Sequence, residues 1–182
     1  MTKPHSYSDI GVVLARRNFG EADRILVIYS KNHGKTSLIA KGVRRPKSHK
    51  RGHIEIFNLV NYQAVSGHGL DLMTEADVID DFKEIRNNLK KVSLAYYFCE
   101  VIGKITHGNE VNLEVYNLII ENLGKLKSTV ELKALRLDFV LRLLTILGYW
   151  PKGNVLSNHD EKLEEVIERQ LSSIRVGKSM LE

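Results

Sequence analysis

Apolar positions follow one period in the first part of the chain and another in the rest. Between residues 7 and 80 they come in short β-branched and aromatic runs: Ile10–Ala15, Ile25–Tyr29, Lys35–Ala40, Ile54–Val65 and Leu70–Ala76. Turn formers separate the runs, namely Gly20, Asn32-His33-Gly34, the polar stretch Lys41–His53 with Gly42, Pro46 and Gly52, and Ser66-Gly67-His68-Gly69. Runs this short, bounded in this way, predict five strands and a small barrel or sandwich. From about Asp81 the period lengthens to that of a helix. Val92, Ala95, Tyr96, Cys99 and Ile102 share one helical face, and Leu94, Phe98, Val101 and Ile105 a second. Leu113, Tyr116, Ile120 and Leu123 mark another helix. Ser128 and Glu131 form a capping-box pattern before a helix over 131–147, which Gly148 and Pro151 terminate. Apolar residues nearly all round that helix predict a central place in a bundle. Ser157 with Asp160 would cap a last helix, with Leu163, Val166, Ile167, Leu171 and Ile174 on one face. The expectation is an α+β chain in two parts, a β domain over 1–80 and an all-α bundle over 81–182.

The composition removes several classes. The chain has 182 residues, 43% of them apolar, which suits a globular protein and excludes disorder throughout. A single cysteine, Cys99, permits neither an internal disulfide nor a cysteine-based zinc site, so a secreted disulfide scaffold is excluded and a cytoplasmic setting is expected. No stretch has the ~18 uncharged apolar residues of a membrane span, and residues 1–9 lack the core of a signal peptide.

Charge sharpens the picture because the net +5 is uneven. Residues 1–55 carry 12 basic and 4 acidic side chains, residues 56–81 carry five acids and no Lys or Arg, and the remainder is nearly balanced. Six cations and no acid occupy Lys41–His53: Lys41, Arg44, Arg45, Lys47, Lys50 and Arg51. A loop serving only solubility would mix signs; one charged in this way suits a polyanion backbone, which demands reach and charge. Arg16 and Arg17, at the end of the first predicted strand, extend the patch. Phe19, Tyr29, Phe57 and Tyr62 are the aromatics on the strands that would serve either as base-stacking platforms or as core.

Catalysis finds no support. His33-Gly34-Lys35-Thr36 imitates the end of a phosphate loop, but Tyr29 stands where the first glycine belongs and a strand follows instead of a helix. His49 and His53 lie in an irregular loop without a carboxylate set, and Cys99 sits on an apolar helical face as structural thiols do. Asp71, Glu75, Asp77, Asp80 and Asp81 form the only dense acidic group, at the strand-to-helix junction, where capping is a better account than a metal-assisted nuclease.

Several segments together resemble the bacterial RecO family: Gly11-Val12-Val13-Leu14, Gly20-Glu21-Ala22-Asp23-Arg24-Ile25, His33-Gly34-Lys35, Ala40-Lys41-Gly42-Val43-Arg44-Arg45-Pro46-Lys47-Ser48, Gly69-Leu70-Asp71 and Thr74-Glu75-Ala76. The likeness is dense over residues 8–100 and continues more weakly to Leu147-Gly148-Tyr149. It implies an N-terminal OB-fold barrel, a helical bundle, and a non-enzymatic role in DNA repair and homologous recombination, with no cofactor and no small-molecule substrate. It further implies binding of single- and double-stranded DNA, strand annealing, engagement of the C-terminal tail of single-stranded DNA-binding protein, and loading of RecA together with RecR, at the nucleoid. Many RecO proteins insert a four-cysteine zinc module after the Leu-Gly-Tyr segment. Here Trp150-Pro151-Lys152-Gly153-Asn154 leads almost directly into the last predicted helix, and no metal is carried over. For an acidic tail with an apolar end, Lys133, Arg136 and Arg142 on the longest bundle helix are the candidate contacts. The competing reading is an interaction scaffold whose basic loop meets an acidic protein surface.

Overall fold

A computed structural model describes residues 5–46, 48 and 52–168. Five strands close into a barrel in the order β1-β2-β3-β5-β4: β1 (Ser6–Phe19), β2 (Asp23–Ser30), β3 (Gly34–Ala40), β4 (Leu59–Val65) and β5 (Asp71–Asp80). This is the OB-fold arrangement expected from the resemblance. Closure depends on the length of β1. Its first half pairs with β4 from Ser6↔Val65 to Val12↔Leu59, and its second half pairs with β2 from Gly11↔Ser30 to Phe19↔Asp23. A bulge between Val13 and Ala15 bends the strand from one partner to the other. The one parallel pairing between these strands is short, Leu38↔Asp71 and Ile39↔Leu72 between β3 and β5. Val13, Leu26, Ile28, Leu38, Val60, Tyr62 and Met73 fill the interior, together with Val43 and Ile54 from the connection between β3 and β4.

The run over 54–65 divides in two, because only Leu59–Val65 is strand. Phe57 has φ 60° and is fully buried. Its N–H donates to the Val13 carbonyl while Val13 N–H donates to Asn58 O, so this segment plugs the β1 bulge. That local reversal breaks the alternation expected of a continuous strand.

Four helices follow: α1 (Lys83–Arg86), α2 (Leu89–Ile105), α3 (Leu113–Ser128) and α4 (Leu132–Ile146), and α5 covers 159–168. Asn88 and Asn112 cap α2 and α3, each Oδ1 accepting from two backbone N–H groups of the first turn. The chain divides into two compact units between Val130 and Glu131. In the first, α2 lies on β1, with the Cys99 thiol against the Val13 carbonyl, so α1–α3 share a unit with the barrel.

In the second unit the predicted helix ends shift. Ser128 belongs to α3, and Glu131 precedes α4 without a side-chain cap, so the capping box over 128–131 does not form. α4 ends as expected: Gly148 N–H donates to Thr145 O and Tyr149 N–H to Leu144 O, the paired bonds of a Schellman stop. The α5 box lies one residue beyond the expected Ser157/Asp160 pair. Asn158 accepts from Glu161 N–H and donates its amide to the Glu161 carboxylate. Leu163 and Val166 are buried, while Leu171 and Ile174 lie outside the described residues.

Candidate nucleic-acid interface

The tip of the β1–β2 hairpin and the start of the basic loop form one fixed structure. Gly42 N–H donates to Asp23 Oδ1 at 2.7 Å, and Arg44 N–H donates to Ala22 O at 2.8 Å. The Arg44 guanidinium reaches back over the turn, donating to Glu21 O at 3.1 Å and Gly20 O at 3.4 Å. Between these ties Val43 drops into the barrel interior with no exposed surface. Two segments that carried the family resemblance, Gly20–Arg24 and Lys41–Arg44, are therefore halves of one clasp.

This geometry sorts the candidate cations. Arg16 is half-buried and paired with Glu55 at 2.7 Å, and Arg24 shares the same carboxylate at 3.5 Å. Arg16 stands opposite Leu26 in the ladder, on the inward face, which places its charge at the barrel end. Arg17, one residue on, points to the other face and is exposed. Lys41 and Arg45 are exposed as well, and none of Arg17, Lys41 and Arg45 has an ion-pair partner among the described residues. Lys47, Lys50 and Arg51 lie outside the described residues, as does His49. Sequence reasoning missed Asp23, Glu55 and Arg24. Acids inside a basic segment look like dilution of its charge, and only the fold reveals Asp23 as a loop anchor and Glu55 as a sink for two arginines. Of the four aromatics expected on the strands, Tyr29, Phe57 and Tyr62 are buried and Phe19, at the hairpin tip, is 48% exposed.

The His33-Gly34-Lys35 segment is a hairpin turn that joins the barrel to the helices. Lys35 Nζ donates to Gly103 O at 2.8 Å and also to Thr106 O, placing a cation at the carbonyl-rich end of α2. Half-burial lowers the Lys35 pKa by desolvation. Asn109 N–H donates to Lys35 O, and a Cβ at Gly34 would stand 2.5 Å from the Glu110 carbonyl carbon and closer still to its oxygen. His33 Nδ1 lies 2.6 Å from Asp9, whose buried carboxylate also accepts from Asn32 N–H and the Asn32 amide.

His53, Asp71, Asp80 and Asp81 have structural partners. His53 Nδ1 is 2.7 Å from Ala76 O. Asp80 pairs with Lys127 at 2.6 Å and caps Phe82 N–H, Asp81 caps Lys83 N–H, and Asp71 accepts from the Tyr7 hydroxyl. No group of three or more His, Cys, Asp or Glu among the described residues is arranged to hold a metal. Burial pushes the Cys99 thiol up to about 12. No helix among the described residues is long and apolar enough to cross a membrane.

In the second unit, Arg136 makes a two-pronged pair with Asp160, at 2.5 and 3.0 Å, which lowers the Asp160 pKa. Arg142 pairs with Asp138 at 3.6 Å and Lys133 is exposed. At about 100° per residue, Lys133 and Arg136 lie on neighbouring faces of α4 and Arg142 lies opposite Lys133, so the three do not form one cluster.

Comparison with known proteins agrees with this architecture. The family model for the N-terminal part of recombination protein O matches residues 1–82, and the model for its C-terminal part matches residues 86–166. The chain is 30% identical over 163 residues to the DNA repair protein RecO of Dehalococcoides mccartyi strain 195, covering 90% of this chain and 64% of that protein. It is 34% identical over 143 residues to the DNA repair protein RecO of Acetivibrio thermocellus, covering 78% and 57%, and 33% identical over 147 residues to that of Rubrobacter xylanophilus, covering 80% and 59%. The chain thus spans about three-fifths of the length of the curated relatives it matches. With both halves of the family matched in order over a five-stranded barrel and its following helices, this chain belongs to the RecO family.

Proposed function

We propose that this chain acts in DNA repair and homologous recombination as a mediator without enzymatic activity. It binds single- and double-stranded DNA on the basic face of the barrel and anneals complementary strands. The observation that carries this reading is the clasp, which holds Arg17, Lys41 and Arg45 at the hairpin tip with no carboxylate of the described residues neutralising them. Lys47, Lys50 and Arg51 follow directly in sequence and extend the same charge.

Annealing on such a surface needs no covalent step. Two complementary strands repel through their phosphates, and a cationic face that displaces condensed counterions lowers that repulsion. Base pairing then supplies the specificity. By the same family reading, the helical part over 81–182 engages the C-terminal tail of single-stranded DNA-binding protein. With RecR, the chain helps RecA onto DNA coated by that protein, in the cytoplasm at the nucleoid. Lys133 is the α4 candidate for the tail with a side chain still open, since Arg136 and Arg142 already hold Asp160 and Asp138.

The test is the salt dependence of DNA binding in the variant Arg17→Ala/Lys41→Ala/Arg45→Ala. Each lost phosphate contact removes about 0.7 from the slope of log K against log salt on a single strand and about 0.9 on a duplex. A slope flatter by roughly 2 is expected on a single strand, with equal weakening across sequences. An unchanged slope would remove these residues from the interface.

A further inference from the structure

We propose that Phe19 is a base-stacking platform that turns the basic hairpin tip into a site preferring unpaired DNA strands. The inference rests on the DNA-binding reading above and names the feature that distinguishes one strand from two.

The chain has five phenylalanines, and the other four, Phe57, Phe82, Phe98 and Phe139, are all at most 2% exposed. Phe19 alone leaves about half its surface in water, and its ring contacts no other ring among the described residues. It is the last residue of β1, where the strand has run beyond its pairing with β4 and is held only by β2. Its position relative to the cations follows from the ladder. Phe19 stands directly opposite Asp23, so the two side chains share a face. The Asp23 carboxylate on that face accepts from Gly42 N–H, and Arg44 donates to the Gly20 and Glu21 carbonyls, so the start of the Lys41–Arg45 loop is tied to the turn that follows Phe19. Arg17 is two residues back on the same face, about 7 Å along the strand. That spacing is comparable to the reach from a base to its own phosphate.

An exposed ring at the same hairpin tip as unpaired cations offers a π-face for a base and charge for the adjoining phosphates. Only an unpaired strand can present a base to it, because duplex bases are stacked on both faces. The cations alone would bind both forms of DNA by charge. The ring adds a term for the single strand, and that term is indifferent to sequence because every base has a π-face.

The experiment compares Phe19→Leu and Phe19→Trp with the unaltered chain, each titrated with a homopyrimidine single strand and with a duplex of equal length. Phe19→Leu keeps the apolar bulk and removes the π-face. It is expected to weaken single-strand binding by the order of tenfold and to leave duplex binding within about twofold. Phe19→Trp should restore single-strand binding, with fluorescence quenched beyond that of the unaltered chain, whose only tryptophan is Trp150. Equal weakening on both DNAs with Phe19→Leu, or no extra quenching with Phe19→Trp, would overturn the proposal. Either result would leave DNA binding standing if the Arg17, Lys41 and Arg45 substitutions still flattened the salt slope. Failure of the unaltered chain to bind either DNA would overturn both readings.

Discussion

Replacing Gly34 by Ala tests whether the His33-Gly34-Lys35 turn is the joint between barrel and helices. Two terms oppose the new methyl group. Gly34 has φ 63°, and an L-residue in the left-handed region costs roughly 1–2 kcal/mol. The added Cβ would also overlap the Glu110 carbonyl, whose carbon is 2.5 Å away. That carbonyl is backbone, so the segment 108–111 has to shift, which strains the Asn109 N–H bond to Lys35 O and the Lys35 Nζ bonds to the end of α2. Forcing atoms into a filled site costs about 1–3 kcal/mol, and a weakened hydrogen bond about 1 kcal/mol more. The sum is a loss of roughly 3–6 kcal/mol, a large part of the ~5–15 kcal/mol that stabilises a typical domain. Gly20→Ala isolates the conformational term, since Gly20 has φ 55° but a Cβ there meets nothing within 4 Å. It should lose only about 1–2 kcal/mol. Urea unfolding followed by circular dichroism measures both variants. If Gly34→Ala falls within about 1 kcal/mol of Gly20→Ala, the close approach between hairpin and helices is not as described, and the account of this segment fails.

Arg44→Ala, which opens the clasp over Gly20 and Glu21, should cost about 1–2 kcal/mol of stability, whereas Arg45→Ala should stay within about 0.5 kcal/mol. Equal melting temperatures for the two variants would refute the assignment of Arg44 to the frame. The buried Cys99 thiol should resist iodoacetamide at pH 8 in the folded protein and react once urea exposes it, as read by mass spectrometry. Because its folded pKa of about 12 lies above the ordinary 9.0, the unfolded chain releases that proton first. Stability should therefore fall as pH rises from about 9 towards 12, and Cys99→Ser should remove that part of the slope.

The barrel was legible because each strand is a short apolar run with turn formers at both ends. The closing device was less so. The Val13 bulge and the reversed Phe57 depend on each other across more than forty residues, and no local pattern signals such a pair. Helix existence was equally legible, and so was the Gly148 stop of α4, but the starts of α4 and α5 were not. Two competing boxes, Ser157/Asp160 and Asn158/Glu161, stand one residue apart, and it is the second that forms. At the candidate interface the loop was visible as charge, but charge carries no information on pairing. Arg16 and Arg17 are indistinguishable in sequence. Strand alternation turns one inward to Glu55 and the other outward to solvent.

The same distinction bears on what a family motif means here. Several of the polar and charged residues in the segments that carry the resemblance have structural partners. Asp23 holds Gly42, Arg24 shares Glu55, Lys35 caps α2, and Arg44 closes the turn. Such residues are constrained by geometry, since each must reach one particular atom. A phosphate contact is constrained mainly by charge, and any cation of similar reach on the same face can serve. Motif and contact surface therefore need not coincide. The clasp presents Arg17, Lys41, Arg45 and Phe19, and the most specific part of the motif builds the clasp. A variant at Arg16 or Arg44 that lowers both melting temperature and DNA affinity would report on the frame. One at Arg17 or Arg45 that lowers affinity alone would report on the contact. Read together, the two measurements separate roles that either one alone would merge.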